Sequence, residues 1–348
     1  MKKRITVILL LIMLSLTGCG NKNASTKVVL TTGFHKNEIF RIETMSCTLP
    51  EIMVFLTNTQ NQYESVYGEE IWLTDLEGVT MEENVKETVL AQLAQIKTMN
   101  LLAERHGVVL GEEEKKKVRE AAEAYFNSLN QTEKDSMQVT EEIIEKLYGE
   151  YALADKVYEY IIKDINPEIS DDEARTITVQ HILLKTYAVD GTGQKIEYSQ
   201  EAKKQAYERA KEVLKLAKEE GSDFEQLILE YSEDEKGTYS FGKDEVEQSF
   251  EEAAFNLETG EISDIVETSY GYHIIKCIST FNREETDANK VKIVEKKKEE
   301  VFGQEYEEFV SSLTRDLNED LWEKVSFIHE EEVTTKDFFE IYSEYFEK

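Results

Sequence analysis

Cysteine is scarce in this chain. The 348 residues contain three, Cys19, Cys47 and Cys277, with no C-x-x-C pair and no Cys/His spacing of a metal site, so dithiol redox and zinc-ribbon chemistry have no support. Basic residues are outnumbered. Lys and Arg total 40 against 72 Asp and Glu, for a net charge of −32, and a chain with no basic patch cannot displace the counterions of nucleic acid. The acid surplus reads as a solvated surface that keeps the protein soluble. A Gly-rich phosphate loop and a G-x-S-x-G turn are both missing, which removes nucleotide and serine-hydrolase chemistries. The apolar run Ile5 to Leu16 is too short to cross a bilayer as a mature helix. What remains, 40% apolar and 32% charged residues, is the composition of a soluble, helix-rich protein long enough for two or three domains.

The N-terminus reads as an export signal. Lys2, Lys3 and Arg4 precede the apolar run, the arrangement of a signal peptide over residues 1–18. It ends in Leu16-Thr17-Gly18-Cys19, which resembles the bacterial lipobox. That resemblance implies lipidation of Cys19 as the mature N-terminus, with at least two acyl chains, enough for stable anchoring to the outer face of a membrane. Loss of Lys2, Lys3 and Arg4 with residues 1–18 takes −32 to −35. Residues 19–28 are small and polar and read as a tether. Cys47 and Cys277 are expected as two free, partly buried thiols.

Residues 29–168 are expected as a helical N-terminal domain. Thr48 with Glu51, and Thr80 with Glu83, form capping boxes, the first with Pro50 in the opening turn. Val85, Val89, Leu93, Ile96, Met99 and Ala103 recur at three- and four-residue steps and form one apolar stripe ending near Gly107. Further helices are expected around 112–129 and 140–164, and a short strand over Ile39 to Ile42. Pro167 and Asp171-Asp172-Glu173 mark a boundary. From 169 to 282 the periodicity changes: Ile177, Val179, His181 and Leu183 alternate on one strand face, and His273, Ile275 and Cys277 do so on another. Helices lie between them, over Gln200 to Glu219 and, through Ser222/Glu225 and Ser249/Glu252 capping boxes, around 223–231 and 250–257. Residues 283–348 return to charged helix, with further helix near 335–346.

QHILLK at 180–185, DFEQLILEYSED at 223–234, FEEAAFNLETGEISDIVET at 250–268 and YGYHIIK at 270–276 resemble, in order and spacing, the successive blocks of the parvulin-type peptidyl-prolyl cis/trans isomerases. The resemblance implies an α+β fold: a four-stranded antiparallel sheet with surrounding helices, inserted in or flanked by a mostly helical chaperone domain to which 283–348 contributes. It also implies a site. His181 and His273 stand back to back, with Asp234 facing the pair and Thr268 hydrogen-bonded to it. Val246 and Phe250 map to the proline pocket, where Val246 replaces the usual Met. The family's Gly-rich stretch is shortened to Gly237–Phe241, and Tyr239 takes the place of its apolar wall. The residues agree on one point, since two imidazoles on apolar faces of one sheet can satisfy each other's hydrogen bonds. The loop 186–199 has one Lys between two acids and lacks the basic cluster of phosphate-specific relatives.

The function implied is a membrane-anchored, extracytoplasmic foldase acting on unfolded exported polypeptides, with no cofactor or metal. A peptide-holding platform of the same fold with little isomerase activity, and a solute-binding lipoprotein, are the alternatives. Whether any site residue attacks or transfers a proton stays open.

Overall fold

The computed structural model describes residues 33–346 apart from 77, 192 and 193. The signal peptide, Cys19 and the tether expected over 1–28 lie outside the described residues. The chain divides into two compact units, one of residues up to Asp164 together with those from Val301, the other Ile165–Glu300. The first is thus discontinuous in sequence.

In the first unit, strands β1 (Glu38–Ile42) and β2 (Met45–Thr48) precede helix α1 (Leu49–Tyr67), and strands β3 (Asp75–Leu76) and β4 (Val79–Thr80) lead into α2 (Met81–His106). Helices α3 (Glu112–Ser128), α4 (Gln131–Met137) and α5 (Glu141–Ile162) follow. Both capping boxes form. Glu51 accepts the Thr48 N–H at 2.7 Å, and Thr80 and Glu83 exchange bonds at 3.0 and 3.2 Å. The predicted stripe of α2 is buried from Val85 to Ala103, and Gly107 ends the helix in the left-handed conformation that glycine adopts without penalty. An ion cluster with no local sequence signature lies in the middle of this unit. Lys97, fully buried, lies 2.5 Å from both Glu51 and Glu150, and Lys146 reaches Glu51 at 3.1 Å. Three helices, α1, α2 and α5, are thereby joined through charges, of which Lys97, Glu51 and Glu150 are buried and Lys146 reaches the surface.

The C-terminal part of the chain completes this unit with β11 (Arg315–Leu317), which pairs with β1, and helices α10 (Glu319–Trp322) and α11 (Phe338–Phe346). Side chains of α1 and α4 bind the backbone of the segment between the last two helices. The Gln60 carboxamide pairs both ways with Ile328, Asn61 donates to the Val333 and Thr335 carbonyls, and Glu133 accepts from the Thr334 and Thr335 amides. Phe338 then stacks on Tyr148 with ring centroids 4.4 Å apart. Among the described residues, no helix is long and apolar enough to cross a membrane.

The second unit is built on a four-stranded antiparallel sheet in the order β8-β5-β10-β9, with β5 (Ile177–Lys185) and β10 (Gly271–Ser279) in the centre, β8 (Thr238–Phe241) on one edge and β9 (Val266–Thr268) on the other. A small hairpin, β6 (Tyr187–Val189) and β7 (Lys195–Glu197), occupies what the sequence suggested was a plain loop. One sheet face, Ile182, Leu184, Tyr272 and Ile274, packs on α6 (Gln200–Ala217) and α7 (Phe224–Tyr231). The other, Ile177, Val179, Ile275 and Cys277, packs with Phe250, Ala254 and Leu257 of α8 (Gln248–Phe255) and its exit. Central strands covered on both faces are apolar on both, as β5 and β10 are. Gly271 is required where β10 begins: its φ is +142°, and a Cβ there would stand 2.1 Å from the Leu184 carbonyl oxygen.

Two expected capping boxes do not form. Asp223, not Ser222, caps α7, because its carboxylate accepts the Gln226 N–H. Ser249 lies inside α8 and donates to the Glu267 carbonyl on edge strand β9. The last helix of this region, α9 (Arg283–Ser311), begins where the sequence reading placed the 282/283 junction, but the unit itself continues to Glu300. Arg283 and Lys297 of α9 pair with Asp171 and Glu173, and Thr286 accepts the Thr176 N–H. Cys47 and Cys277 are free and fully buried rather than partly so.

Candidate active site

β5 and β10 run antiparallel with His273 opposite Leu183 and Ile275 opposite His181. The two histidines therefore sit diagonally on one face, and their Nδ1 atoms approach to 3.1 Å with the rings nearly parallel. Both are buried, at 3% and 5% exposure. At that depth each ring nitrogen needs a partner, and each has one. His181 Nε2 lies 3.2 Å from the Lys236 carbonyl and 3.2 Å from Asp234 Oδ2. His273 Nε2 lies 2.8 Å from Thr268 Oγ1, which also accepts the Tyr270 N–H at 3.0 Å.

These partners determine where the protons are. Both groups facing His181 Nε2 are acceptors, so that nitrogen carries the hydrogen and a neutral His181 presents a bare Nδ1. His273 must then donate from Nδ1, which leaves its Nε2 to accept from the Thr268 hydroxyl. The result is one directed chain from the Tyr270 amide through Thr268, His273 and His181 to Asp234 and the Lys236 carbonyl. Hydrogen bonds aligned in this way polarise one another.

The electrostatics agree with a neutral pair. Burial lowers the pKa of His181 despite the pull of Asp234. Burial, then the neighbouring His181, takes His273 from 6.5 to about 4. Asp234 behaves oppositely: burial opposes its charge, but the Lys236 amide, the Tyr239 hydroxyl and His181 outweigh that and hold its carboxyl below 3.8. Glu247, at the start of α8, is kept ionised by the hydroxyl and amide of Ser269.

The apolar side of the site comes from three elements. Phe250 on α8 stands edge-on to both imidazoles, with centroids 5.6 Å from His181 and 5.1 Å from His273. Tyr239 on β8 meets His181 edge-on at 5.1 Å, and its hydroxyl donates to Asp234 at 3.1 Å. Val246 packs half-buried against the Phe250 cluster. All seven residues expected in this site, His181, Asp234, Tyr239, Val246, Phe250, Thr268 and His273, thus belong to one neighbourhood. Three participants were not anticipated. The Lys236 carbonyl and the Tyr270 amide are backbone groups without a side-chain signature, and Glu247 gave no signal beyond being one acid among many. No group of three or more His, Cys, Asp or Glu placed to hold a metal ion occurs among the described residues.

The rotamase family, described as the PPIC-type PPIase domain, matches residues 181–279. The foldase protein PrsA of Caldanaerobacter subterraneus is 27% identical over 327 residues, covering 90% of this chain and 95% of that protein. The foldase protein PrsA of Geobacillus kaustophilus is 41% identical over 98 residues, 26% of this chain and 32% of that one. A crystal structure of peptidylprolyl isomerase PrsA from Bacillus cereus aligns with 78% of this chain and 97% of its own, at 21% identity and a TM-score of 0.36. Residues 181–279 therefore form a PPIC-type peptidyl-prolyl isomerase domain, carried by a chain that is similar along most of its length to the PrsA foldases.

Proposed function

We propose that this isomerase acts on X-Pro bonds of unfolded, exported polypeptides while anchored to the outer face of a bacterial membrane through lipidated Cys19. The observation that supports the site assignment is the His181–His273 contact at 3.1 Å beneath the edge-on ring of Phe250. The barrier to be lowered, about 18 to 20 kcal/mol, comes from amide resonance, and no bond breaks in crossing it. Removing the amide from water and gripping the ring while it twists is sufficient. Phe250, Val246 and Tyr239 supply the apolar grip. His181, His273, Thr268 and Asp234 form a floor whose polarity is fixed in advance, so no reorganisation is needed as the amide nitrogen loses its resonance.

The first unit, which includes the chain from Val301 onward, serves as a holding module for extended clients, and residues 19–28 tether the whole to the bilayer. The net −35 expected after loss of residues 1–18 favours cationic clients, an attraction that weakens as salt rises. A slow X-Pro step lasting tens of seconds then becomes fast enough for a client leaving the membrane. The test is refolding of a proline-limited protein in the presence of the chain. A faster slow phase supports the reading. Protection from aggregation with an unchanged slow phase favours the peptide-holding platform, for which the smaller Val246 is the specific feature.

A further inference from the structure

Asp234 faces His181 from a loop, since α7 ends at Tyr231, and something must hold that loop in place. The outer edge of β5 beyond its pairing with β8 provides the attachment. The Glu233 amide donates to the Leu183 carbonyl at 2.8 Å, Glu233 Oε2 accepts the Lys185 amide at 2.7 Å, and Ser232 Oγ accepts the Leu183 amide at 3.2 Å. Residues 232–233 thus imitate a strand partner. Four residues later the chain rejoins β5, where the His181 amide donates to the Gly237 carbonyl at 2.9 Å. Between these two pins residues 234–236 bulge over the imidazole, and the bulge presents two acceptors, the Asp234 carboxylate and the Lys236 carbonyl, to His181 Nε2. The second pin is tight as well. A Cβ on Gly237 would stand 2.6 Å from Ile228 Cγ2.

We infer that Glu233 is a positioning residue for the isomerase: by holding the 234–236 bulge on β5, it fixes which nitrogens of the His181–His273 pair carry protons. Its carboxylate touches neither imidazole. It is divided between the Lys185 amide and Arg209, whose guanidinium lies 3.1 Å from Oε1. If the pin is released, Asp234 and the Lys236 carbonyl drift from Nε2. With no obligatory acceptor there, His181 can place its proton on Nδ1, the His273 bond reverses, and Thr268 loses the direction of its hydroxyl. The role rests on the site assignment above, and a sequence pattern could not have revealed it, because Glu233 reads as one more acid beside Asp234 and Glu235.

The experiment uses the whole chain with 15N-labelled histidine. There are five histidines, so the ring-nitrogen signals of His181 and His273 are assigned by the two that vanish in H181N and H273N. In the unsubstituted protein each shows one tautomer, Nε2–H for His181 and Nδ1–H for His273. Glu233→Ala is expected to give averaged or reversed patterns at both rings and a kcat lower by about 10- to 100-fold. Glu233→Gln, whose carbonyl still accepts from Lys185, restores both. If Glu233→Ala does not fold, Ser232→Ala removes only the hydroxyl and is expected to move the same two signals. Unchanged ring-nitrogen patterns in a folded Glu233→Ala chain, or in Ser232→Ala where Glu233→Ala does not fold, would overturn the inference. Inactivity of the unsubstituted chain would instead count against the functional reading, while the ring signals still decide the positioning role.

Discussion

Acidification probes the neutral histidine pair directly. His273 takes up a proton at about 4 in the folded chain against an ordinary 6.5, so between those values the unfolded chain binds more protons and stability must fall as pH falls. The whole gap corresponds to about 3 kcal/mol. At pH 5 the unfolded imidazole is almost fully charged and the folded one still neutral, and about 2 kcal/mol of it is lost relative to pH 7. Both tryptophans, Trp72 and Trp322, belong to the first unit, so tryptophan fluorescence does not follow this event. Urea unfolding at pH 7 and pH 5, read at the ring signals of the neighbouring His181, does. His273→Gln cannot take up the proton and is expected to flatten the profile in that window. The depressed carboxylates Asp234 and Glu247 act in the same direction only at lower pH. Equal stability at pH 7 and pH 5 in the unsubstituted chain would refute the claim that burial holds this pair neutral.

Three further outcomes are expected. Phe250→Ala removes the ring that stands edge-on to both imidazoles and should cost the isomerase unit about 3 kcal/mol or more and most of its kcat/KM on a proline tetrapeptide, whereas Phe250→Leu retains a measurable fraction. Lys97→Met leaves Glu51 and Glu150 facing each other with only Lys146 nearby and should destabilise the first unit by about 3 to 5 kcal/mol, measured by tryptophan fluorescence in urea. Gly271→Ala forces a Cβ against the Leu184 carbonyl at a φ that other residues avoid and should cost about 3 kcal/mol, visible as early loss of the His181 and His273 signals on heating.

Much of the architecture was legible because it rests on periodic or local chemistry. The α2 stripe from Val85 to Ala103, the Thr48 and Thr80 caps, and the place of His181 and His273 each on the apolar face of its own strand follow from local spacing, whereas their pairing back to back was implied only by the resemblance to the parvulin blocks. The same four-residue cap pattern failed inside the second unit. Ser222 and Ser249 each precede a glutamate by three positions, yet a neighbouring Asp223 and the Glu267 carbonyl offered better partners. Strand β8 is four residues long, too short for alternation to distinguish it from a loop, although it carries Tyr239 into the site. The Lys97 cluster joins residues 46 and 53 positions apart, a tertiary event that no local pattern records. The same holds for the Lys236 carbonyl, since a backbone acceptor looks identical at every position.

The decisive experiment for isomerase activity at this site is the cis/trans isomerisation rate of a proline tetrapeptide with the whole chain, beside His273→Gln and Phe250→Ala. Clear acceleration by the unsubstituted protein is expected, with loss of most of it in both variants while circular dichroism shows them folded. A folded, unsubstituted chain that leaves the spontaneous rate unchanged would contradict isomerase activity at this site.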